Sequence, residues 1–152
     1  MFRGFSAVSI DSKGRMAVPS RFRERLAAVD DGCLVQTLNP LDRSLWLYPL
    51  TEWELIETKL AALSDFDKQS RRTKQMMRGY AYDCQLDSQG RILIPHELRD
   101  YAQLEKQAVI LGQGNKFEIW SQSSWEQQRD QWLSLVDKGD GEPSVALQSL
   151  SL

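Results

Sequence analysis

The chain contains few of the residues on which most enzyme chemistry depends. Its 152 residues include one histidine, His96, and two cysteines, Cys33 and Cys84, with no Cys-x-x-Cys pair. No Gly-x-Ser-x-Gly elbow, phosphate-binding loop, dinucleotide fingerprint or metal-ligand spacing occurs in the sequence either. His96 follows a proline and has no motif around it that would arrange a proton relay, which favours a surface histidine. We therefore expect no catalytic residue, no metal, no cofactor and no small-molecule substrate.

Long apolar runs are also absent. No stretch of the sequence is long enough to cross a bilayer, and the first residues do not have the pattern of a secretory leader. Both cysteines fall in apolar stretches, which favours buried, reduced thiols in a cytoplasmic protein, although one disulfide remains possible. With 41% hydrophobic and 26% charged residues, the chain suits one compact domain or two small ones.

The charge is small in total but unevenly distributed. The net charge of −2 does not by itself indicate a nucleic-acid binder. Residues 1–25 nevertheless carry six basic residues against two acidic ones, and residues 68–78 carry five basic residues and no acidic one. From residue 126 onward, five acidic residues face two basic ones. The folded chain could therefore present a basic and an acidic face, and local fields of this kind steer charged partners. The alternative is that these side chains are simply solvated.

A thirteen-residue pattern occurs twice, at an offset of 76 residues. The first copy is Asp11–Arg23 and the second is Asp87–Arg99. Six of the thirteen positions are identical in the two copies: the opening Asp and Ser, a Gly, the Arg after it, a Pro and the closing Arg. Such self-similarity indicates a duplicated structural unit.

Each copy predicts a strand, a tight turn, a second strand and a short helix. Asp11 and Asp87 are expected to orient their turns through bonds to the backbone, and Gly14 and Gly90 to supply a positive φ. The apolar triplet after the arginine is typical of a buried strand, and the proline ends that strand and opens a helix.

The duplication extends beyond the turn. Strand-like segments recur at the same offset, and further on at an offset of 72 residues. The capping-box pattern of Thr51–Glu54 recurs at Ser123–Glu126. A helical pair lies between the copies. Its first helix is predicted to bury Trp53, Ile56, Leu60 and Leu63, and its second helix carries Phe66, Met76 and Met77. One such unit leaves much apolar surface exposed, so two units are expected to close over each other around an approximate two-fold axis.

The arginine that follows each turn, Arg15 or Arg91, suggests a second role for the repeat. A guanidinium held at the end of a hairpin can donate in a fork to phosphate oxygens or to O6 and N7 of guanine. A two-stranded ribbon also fits the major groove of DNA. The alternative is that Asp11 and Asp87 pair with these arginines only to fix the turns, and both interpretations can hold together.

The paired motif and two further stretches resemble those of a known family. Four stretches are similar to the MraZ family, which has two tandem AbrB/SpoVT-type swapped-hairpin modules: Asp11-x-x-x-Arg15 and Asp87-x-x-x-Arg91, each ahead of apolar residues and a proline, the start Met1-Phe2-Arg3-Gly4, and Gly114–Trp120. The resemblance covers about residues 1–137. It implies an α+β fold in which the two modules form a pseudo-symmetric β-barrel with flanking helices.

The resemblance also implies a division of the chain into parts. A first SpoVT/AbrB-like module would span residues 5–50, and a helical pair residues 51–80. A second module would span residues 81–124 and a C-terminal helix residues 125–137, with a flexible tail over residues 138–152.

The function implied by the resemblance is DNA-dependent. It is that of a cytoplasmic, nucleoid-associated transcriptional regulator, with no membrane partner, that represses the division and cell-wall gene cluster, its own promoter included. Such proteins bind repeated boxes in double-stranded DNA as homo-oligomeric rings. The family's DNA-contacting arginine corresponds to Arg15 and Arg91. Charge placement adds further candidates: Arg3, Lys13, Arg21 and Arg23.

The two copies of the repeat differ in their basic residues. Lys13 and Arg21 of the first copy correspond to Gln89 and Glu97 of the second, so the first hairpin is expected to dominate DNA contact. Two further hypotheses remain: an interaction scaffold whose arginines are structural, and an AbrB-type antitoxin. A pair of modules in one chain counts against the antitoxin.

Overall fold

The computed structural model describes residues 1–139 and 143–152 and has an α+β architecture. It forms two compact units, Met1–Gln122 and Ser123–Leu152, which are described separately. The elements follow in chain order: β1 (Phe5–Ser9), β2 (Arg15–Ala17), α1 (Ser20–Ala28), β3 (Cys33–Leu38), β4 (Leu45–Pro49), α2 (Leu50–Ala61), α3 (Lys68–Gly79), β5 (Tyr82–Gln85), β6 (Arg91–Leu93), α4 (His96–Tyr101), β7 (Gln107–Gly112), β8 (Phe117–Ser121), α5 (Gln122–Lys138) and α6 (Val145–Gln148).

The main sheet has six antiparallel strands in the order β1-β7-β8-β4-β3-β5, and β2 pairs with β6 in a separate ribbon. The first strand of each copy pairs with the third strand of the other, as β1 does with β7 and β5 with β3. When equivalent strands of the two copies are exchanged, the order reads the same from the opposite end. The strand pairing therefore has the approximate two-fold symmetry that the repeat predicts.

The sheet is open and the predicted closed barrel is not formed. Among the described residues, β1 and β5 are the two edges of the sheet and do not pair with each other. The reason lies in β2 and β6, which pair with one another instead of completing the main sheet. An isolated bridge between Ile10 and Met16 links the ribbon to the end of β1.

The core of the first unit is built from equivalent residues of the two copies. Four equivalent pairs are almost completely buried: Met16 and Ile92, Val18 and Ile94, Phe22 and Leu98, Leu26 and Ala102. Full burial of a larger apolar side chain stabilises a fold by roughly 1.5–3 kcal/mol. Because the strands of one copy are paired with those of the other, this core requires both copies.

The capping box predicted at Thr51–Glu54 is wrong. Helix α2 begins at Leu50, and its N-cap residue is Pro49, two residues before the predicted N-cap Thr51. Thr51 instead donates its backbone N–H to Oδ2 of Asp30 at 2.8 Å and its hydroxyl to Oδ1 of the same carboxylate. Asp30 lies in the turn after α1, so a carboxylate from an earlier part of the chain accepts the hydrogen bonds at the start of α2. Helix α5 likewise begins at Gln122, ahead of the second predicted box.

The apolar residues of the helical pair are only partly buried. Trp53 and Leu60 pack into the core as predicted, and Met77 of α3 packs there too. Phe66 is fully exposed and Leu63 is partly exposed, because both lie in the connection between α2 and α3. Helix α3 starts at Lys68, after Asp67 accepts a bond from the backbone N–H of Ser70.

The two cysteines are free and lie on neighbouring strands. The register places Cys84 opposite Leu34 and Cys33 opposite Gln85, so their side chains point to opposite faces of the sheet. Burial raises the pKa of the Cys84 thiol to about 12. Neither cysteine is fully buried as expected, because both are only half-buried.

The second unit contains most of α5 and the short helix α6. Residues 140–142 of the predicted tail lie outside the described residues, and Ser144 caps α6 through a bond from the N–H of Leu147. No helix in the described part of the chain is both long and apolar enough to cross a membrane.

Candidate nucleic-acid interface

Asp11 accepts hydrogen bonds from several residues of the first turn. Its Oδ1 accepts the backbone N–H of Lys13 at 3.0 Å and that of Arg15 at 2.9 Å. Its backbone carbonyl accepts the N–H of Gly14, whose φ of +87° lies in the left-handed region. The side chain of Arg15 then donates through Nε to Asp11 Oδ2 at 2.7 Å.

The second turn repeats this geometry. Asp87 Oδ1 accepts the N–H of Gln89 at 2.8 Å and that of Arg91 at 2.9 Å, and Oδ2 accepts Arg91 Nε at 2.9 Å. Gly90 has a φ of +74°. The two turns therefore share the same aspartate bonds and the same positive φ at glycine.

These bonds lower the pKa of each aspartate. The backbone N–H of Arg15, and then its side chain, hold the pKa of Asp11 below its usual value of 3.8. The N–H of Arg91 has the same effect on Asp87. Both carboxylates bind at Nε of their arginine, so within these pairs the two terminal nitrogens of each guanidinium remain available to another acceptor.

The β2–β6 ribbon brings the two turns together. Arg15 lies opposite Leu93, Met16 opposite Ile92, and Ala17 opposite Arg91. Met16 and Ile92 are buried, so the alternation of a strand places the other four residues on the outer face. A terminal nitrogen of Arg91 lies 3.9 Å from Asp11 Oδ2, which links the second arginine to the first turn.

The apolar triplets that follow the arginines are therefore not buried throughout. Ala17 is half-buried, and Leu93 is 55% exposed on the outer face. The middle residue of this triplet points out because side chains alternate along a strand.

The closing arginine of each copy contacts the turn of the other. Arg23 donates through Nε to the carbonyl of Val18 at 2.5 Å and lies against Gly90, where a Cβ would come within 2.7 Å of its Cζ. Arg99 donates through Nε to the carbonyl of Ile94 at 3.0 Å and lies against Gly14. Sequence reasoning named Arg23 but missed Arg99, although the identity of the two positions was a signal for both.

The other predicted basic residues are separated from the ribbon to different degrees. Lys13 is exposed at the tip of the first turn. Arg21 donates to the carbonyl of Phe5 at 2.7 Å and to the hydroxyl of Ser6 at 2.6 Å, near the start of β1. Arg3 precedes β1 and is separated from the first turn by the whole of that strand. The structure thus brings Lys13, Arg15 and Arg91 together, and it places Arg3 and Arg21 elsewhere.

Comparison with known proteins identifies the family. The family model of the antitoxin-like "MraZ protein" matches residues 1–76 and again residues 77–139. The chain is similar to "Transcriptional regulator MraZ" of Thioalkalivibrio sulfidiphilus, at 49% identity over all of both chains, and to that of Halorhodospira halophila, at 48% over all of both chains. The protein of the same name from Marinomonas sp. is 52% identical over 88% of this chain and 89% of its own.

Among solved structures, the solution structure of PHS018 from Pyrococcus horikoshii covers 78% of this chain and 88% of its own, at 12% identity. Its TM-score of 0.32 is too low to carry an argument about the fold. The double match of the family model and the full-length relatives confirm the resemblance drawn from the paired motif. The chain belongs to the MraZ family, a family of transcriptional regulators and not of enzymes.

Proposed function

We propose that the chain is a sequence-specific DNA-binding transcriptional regulator whose β2–β6 ribbon enters the major groove. The observation that carries this proposal is the common outer face on which Arg15 and Arg91 lie, each held at Nε by the aspartate of its own turn. The major groove is about 12 Å wide and admits a two-stranded ribbon. Guanine presents O6 and N7 there, the acceptors that an arginine fork contacts in pairs.

The pinned geometry favours binding. An arginine that is free in solution loses rotamer freedom when it is ordered against a ligand, at about 0.5–1.5 kcal/mol per side chain. Here Asp11 and Asp87 have already ordered Arg15 and Arg91, and these arginines are 34% and 25% exposed. The aspartates therefore have two roles, as the sequence allowed: they fix the turns, and they orient groups that contact DNA.

The remaining basic residues receive different roles in this proposal. Lys13, exposed at the tip of the first turn, contacts a phosphate beside the groove. Arg23 acts through Gly90 and shapes the second turn. Arg3 and Arg21 lie near the start of β1 and contact phosphates only where the DNA extends past the ribbon.

One subunit offers few contacts, so we propose that the protein acts as a homo-oligomer. Linked copies convert a second binding event into an effectively intramolecular one, which raises avidity by about 10²–10⁴-fold. A head-to-tail ring suits DNA boxes in direct repeat. We further propose, as the resemblance of the paired motif implies, that the targets are the division and cell-wall gene cluster and the protein's own promoter, that the outcome is repression, and that the protein acts in the cytoplasm at the nucleoid.

The test is a gel-shift titration with promoter DNA from upstream of the protein's own gene. Loss of a bidentate contact to guanine costs about 1–3 kcal/mol, so Arg15→Ala should weaken specific binding by about tenfold to a hundredfold per site. Arg91→Ala should weaken it less, because the first hairpin also carries Lys13. The mass of the oligomer should stay unchanged in both variants.

Arg43→Ala is the matched control. Arg43 lies over the ring of Tyr101 and is not one of the paired residues of the β2–β6 ribbon. It should bind DNA like the wild-type chain. Unchanged promoter affinity in Arg15→Ala would refute the proposed interface and favour the interaction scaffold.

A further inference from the structure

Leu93 is an exposed leucine between two arginines. Its side chain is 55% exposed, while Ile92 and Ile94 on either side of it are fully buried. It lies directly opposite Arg15 across the ribbon and two residues after Arg91 on the same strand, so all three side chains share the outer face. A large apolar side chain beside two guanidinium groups has no role in the core.

We propose that Leu93 is a specificity-determining residue that contacts the C5-methyl group of a thymine next to the guanine read by Arg15. This inference rests on the proposed function and names a further part of the sequence that the same site reads. The thymine methyl is the apolar group that base pairs present in the major groove, and apolar side chains recognise it there. Directly opposite residues of an antiparallel pair have Cβ atoms about 4.5–5.5 Å apart, which lets them reach neighbouring base pairs.

The backbone of Leu93 is held firmly enough for such readout. Its carbonyl accepts Nε2 of the buried Gln36 at 2.7 Å. The next residue, Ile94, donates its N–H to the carbonyl of Gly14 at 2.9 Å. The leucine is thus fixed from the main sheet on one side and from the first turn on the other.

The charge around Leu93 favours DNA over a second protein chain as the occupant of this face. An apolar protein surface placed on Leu93 would remove water from the terminal nitrogens of Arg15 and Arg91 without offering them an acceptor, and polar groups are costly to bury without a hydrogen bond. The floor of the major groove offers both kinds of partner on one surface, acceptors for the guanidinium groups and a methyl group for the leucine. The proposal therefore commits to DNA.

The two ends of the ribbon differ at this position. The repeat makes Ala17 the equivalent of Leu93, and Ala17 lies opposite Arg91 as Leu93 lies opposite Arg15. Alanine is too short to make the same contact. Leu93 therefore gives the pseudo-symmetric ribbon a direction on DNA, since one arginine has an apolar neighbour that reaches the bases and the other does not.

The experiment uses a duplex that the full wild-type chain recovers from a randomised pool, trimmed to the protected region. Each thymine is replaced in turn by deoxyuridine, which removes only the methyl group. One replacement should weaken wild-type binding by about fourfold, the effect of one buried methyl-sized group. Leu93→Ala should bind the unmodified duplex about fourfold more weakly than the wild type and should be indifferent to the same replacement.

Leu41→Ala is the matched control, because Leu41 is 81% exposed in the loop between β3 and β4. It should keep both the wild-type affinity and the wild-type response to deoxyuridine. Thermal melting should show all three chains equally folded, since neither leucine is buried. The oligomer mass is measured alongside for each variant.

The outcomes separate the two proposals. Wild-type binding that no thymine replacement changes overturns the role of Leu93 and leaves the proposed function standing. A shift in oligomer mass in Leu93→Ala, with the deoxyuridine response retained, assigns Leu93 to a contact between copies of the chain and also overturns it. Failure of the wild type to enrich any duplex refutes the proposed function itself.

Discussion

Arg23 and Gly90 are in contact although they belong to different copies of the repeat. The guanidinium of Arg23 covers the glycine so closely that a Cβ at position 90 would lie 2.7 Å from its Cζ. The reciprocal contact joins Arg99 to Gly14, where a Cβ would lie 2.8 Å from the Arg99 guanidinium. The carbonyls of the two glycines also accept ladder bonds from the opposite copy, from Val18 and Ile94 respectively. Each copy thereby closes the turn that presents the arginine of the other.

The first prediction concerns these glycines. Gly90→Ala and Gly14→Ala should each lower the free energy of unfolding by more than the 1–2 kcal/mol or so expected for a left-handed alanine, because the new methyl also displaces an arginine. Gly32→Ala is the matched control. Gly32 has a φ of +76°, yet a Cβ there would meet the backbone of Ala27 at an ordinary 3.9 Å.

Urea unfolding of the three variants provides the measurement. Gly32→Ala should show the cost of backbone strain alone, and the excess in Gly90→Ala should shrink when Arg23→Ala is added. Equal losses at positions 32 and 90 would show that the contact with Arg23 contributes nothing.

The second prediction concerns the pH dependence contributed by Asp11. Its pKa is lowered in the folded chain, mainly by the N–H of Arg15, so the unfolded chain binds more protons between the folded pKa and the usual value of 3.8. The stabilisation is therefore complete above that usual value and is lost as the pH falls through the lowered one. Asp11→Asn should be less stable than the wild type near neutral pH, and the difference should narrow steadily in acid.

Acid titration of thermal stability in low salt measures this difference. Asp83→Asn is a suitable control, since Asp83 is an exposed aspartate of β5. A gap between Asp11→Asn and the wild type that stayed constant from neutral pH to pH values well below 3.8 would contradict the assignment.

The third prediction concerns the start of α2. The hydroxyl and then the N–H of Thr51 lower the pKa of Asp30, which shows that its ionised form is the one bonded to the helix. Asp30→Asn removes this charge and should lower the melting temperature. Asp31→Asn is the matched control, because Asp31 has a left-handed φ of 54° and Asp30 one of 55°. It should leave the melting temperature nearly unchanged, since among the described residues Thr51 is bonded to Asp30 and not to Asp31. Equal melting temperatures for the two variants would remove Asp30 from the start of α2.

The sequence predicted the local parts of the site and missed the contacts made across the fold. The turns of Asp11 and Asp87 follow from bonds between residues two to four apart, which a motif specifies completely. The pairing of β2 with β6 does not follow from a local motif in this way. Alternation of side chains indicates which face of a strand is buried but not which strand lies beside it. For the same reason Asp30 was not recognised as the acceptor for Thr51, and a local capping box was predicted in its place.

Leu93 shows a second limit of the sequence. A run of three apolar residues is typical of a strand buried on both faces, and Ile92 and Ile94 conform to it. The outer face of the ribbon becomes visible only once β2 and β6 are paired on top of the core.

The last prediction separates phosphate contact from base contact. It uses the difference in charge between the tips of the two turns. Lys13 corresponds to Gln89, and both are exposed at the tips of equivalent turns. Each phosphate contact contributes about −0.9 to the slope of log K against log salt concentration. Lys13→Gln should therefore make the slope shallower by about 0.9 per engaged ribbon and weaken binding to specific and random duplexes alike. Gln89→Lys should steepen it by a similar amount, because the second turn has the same geometry as the first. Slopes that do not change in either variant would mean that the tips of the turns lie away from the phosphates, and that the ribbon meets DNA through Arg15 and Arg91 alone.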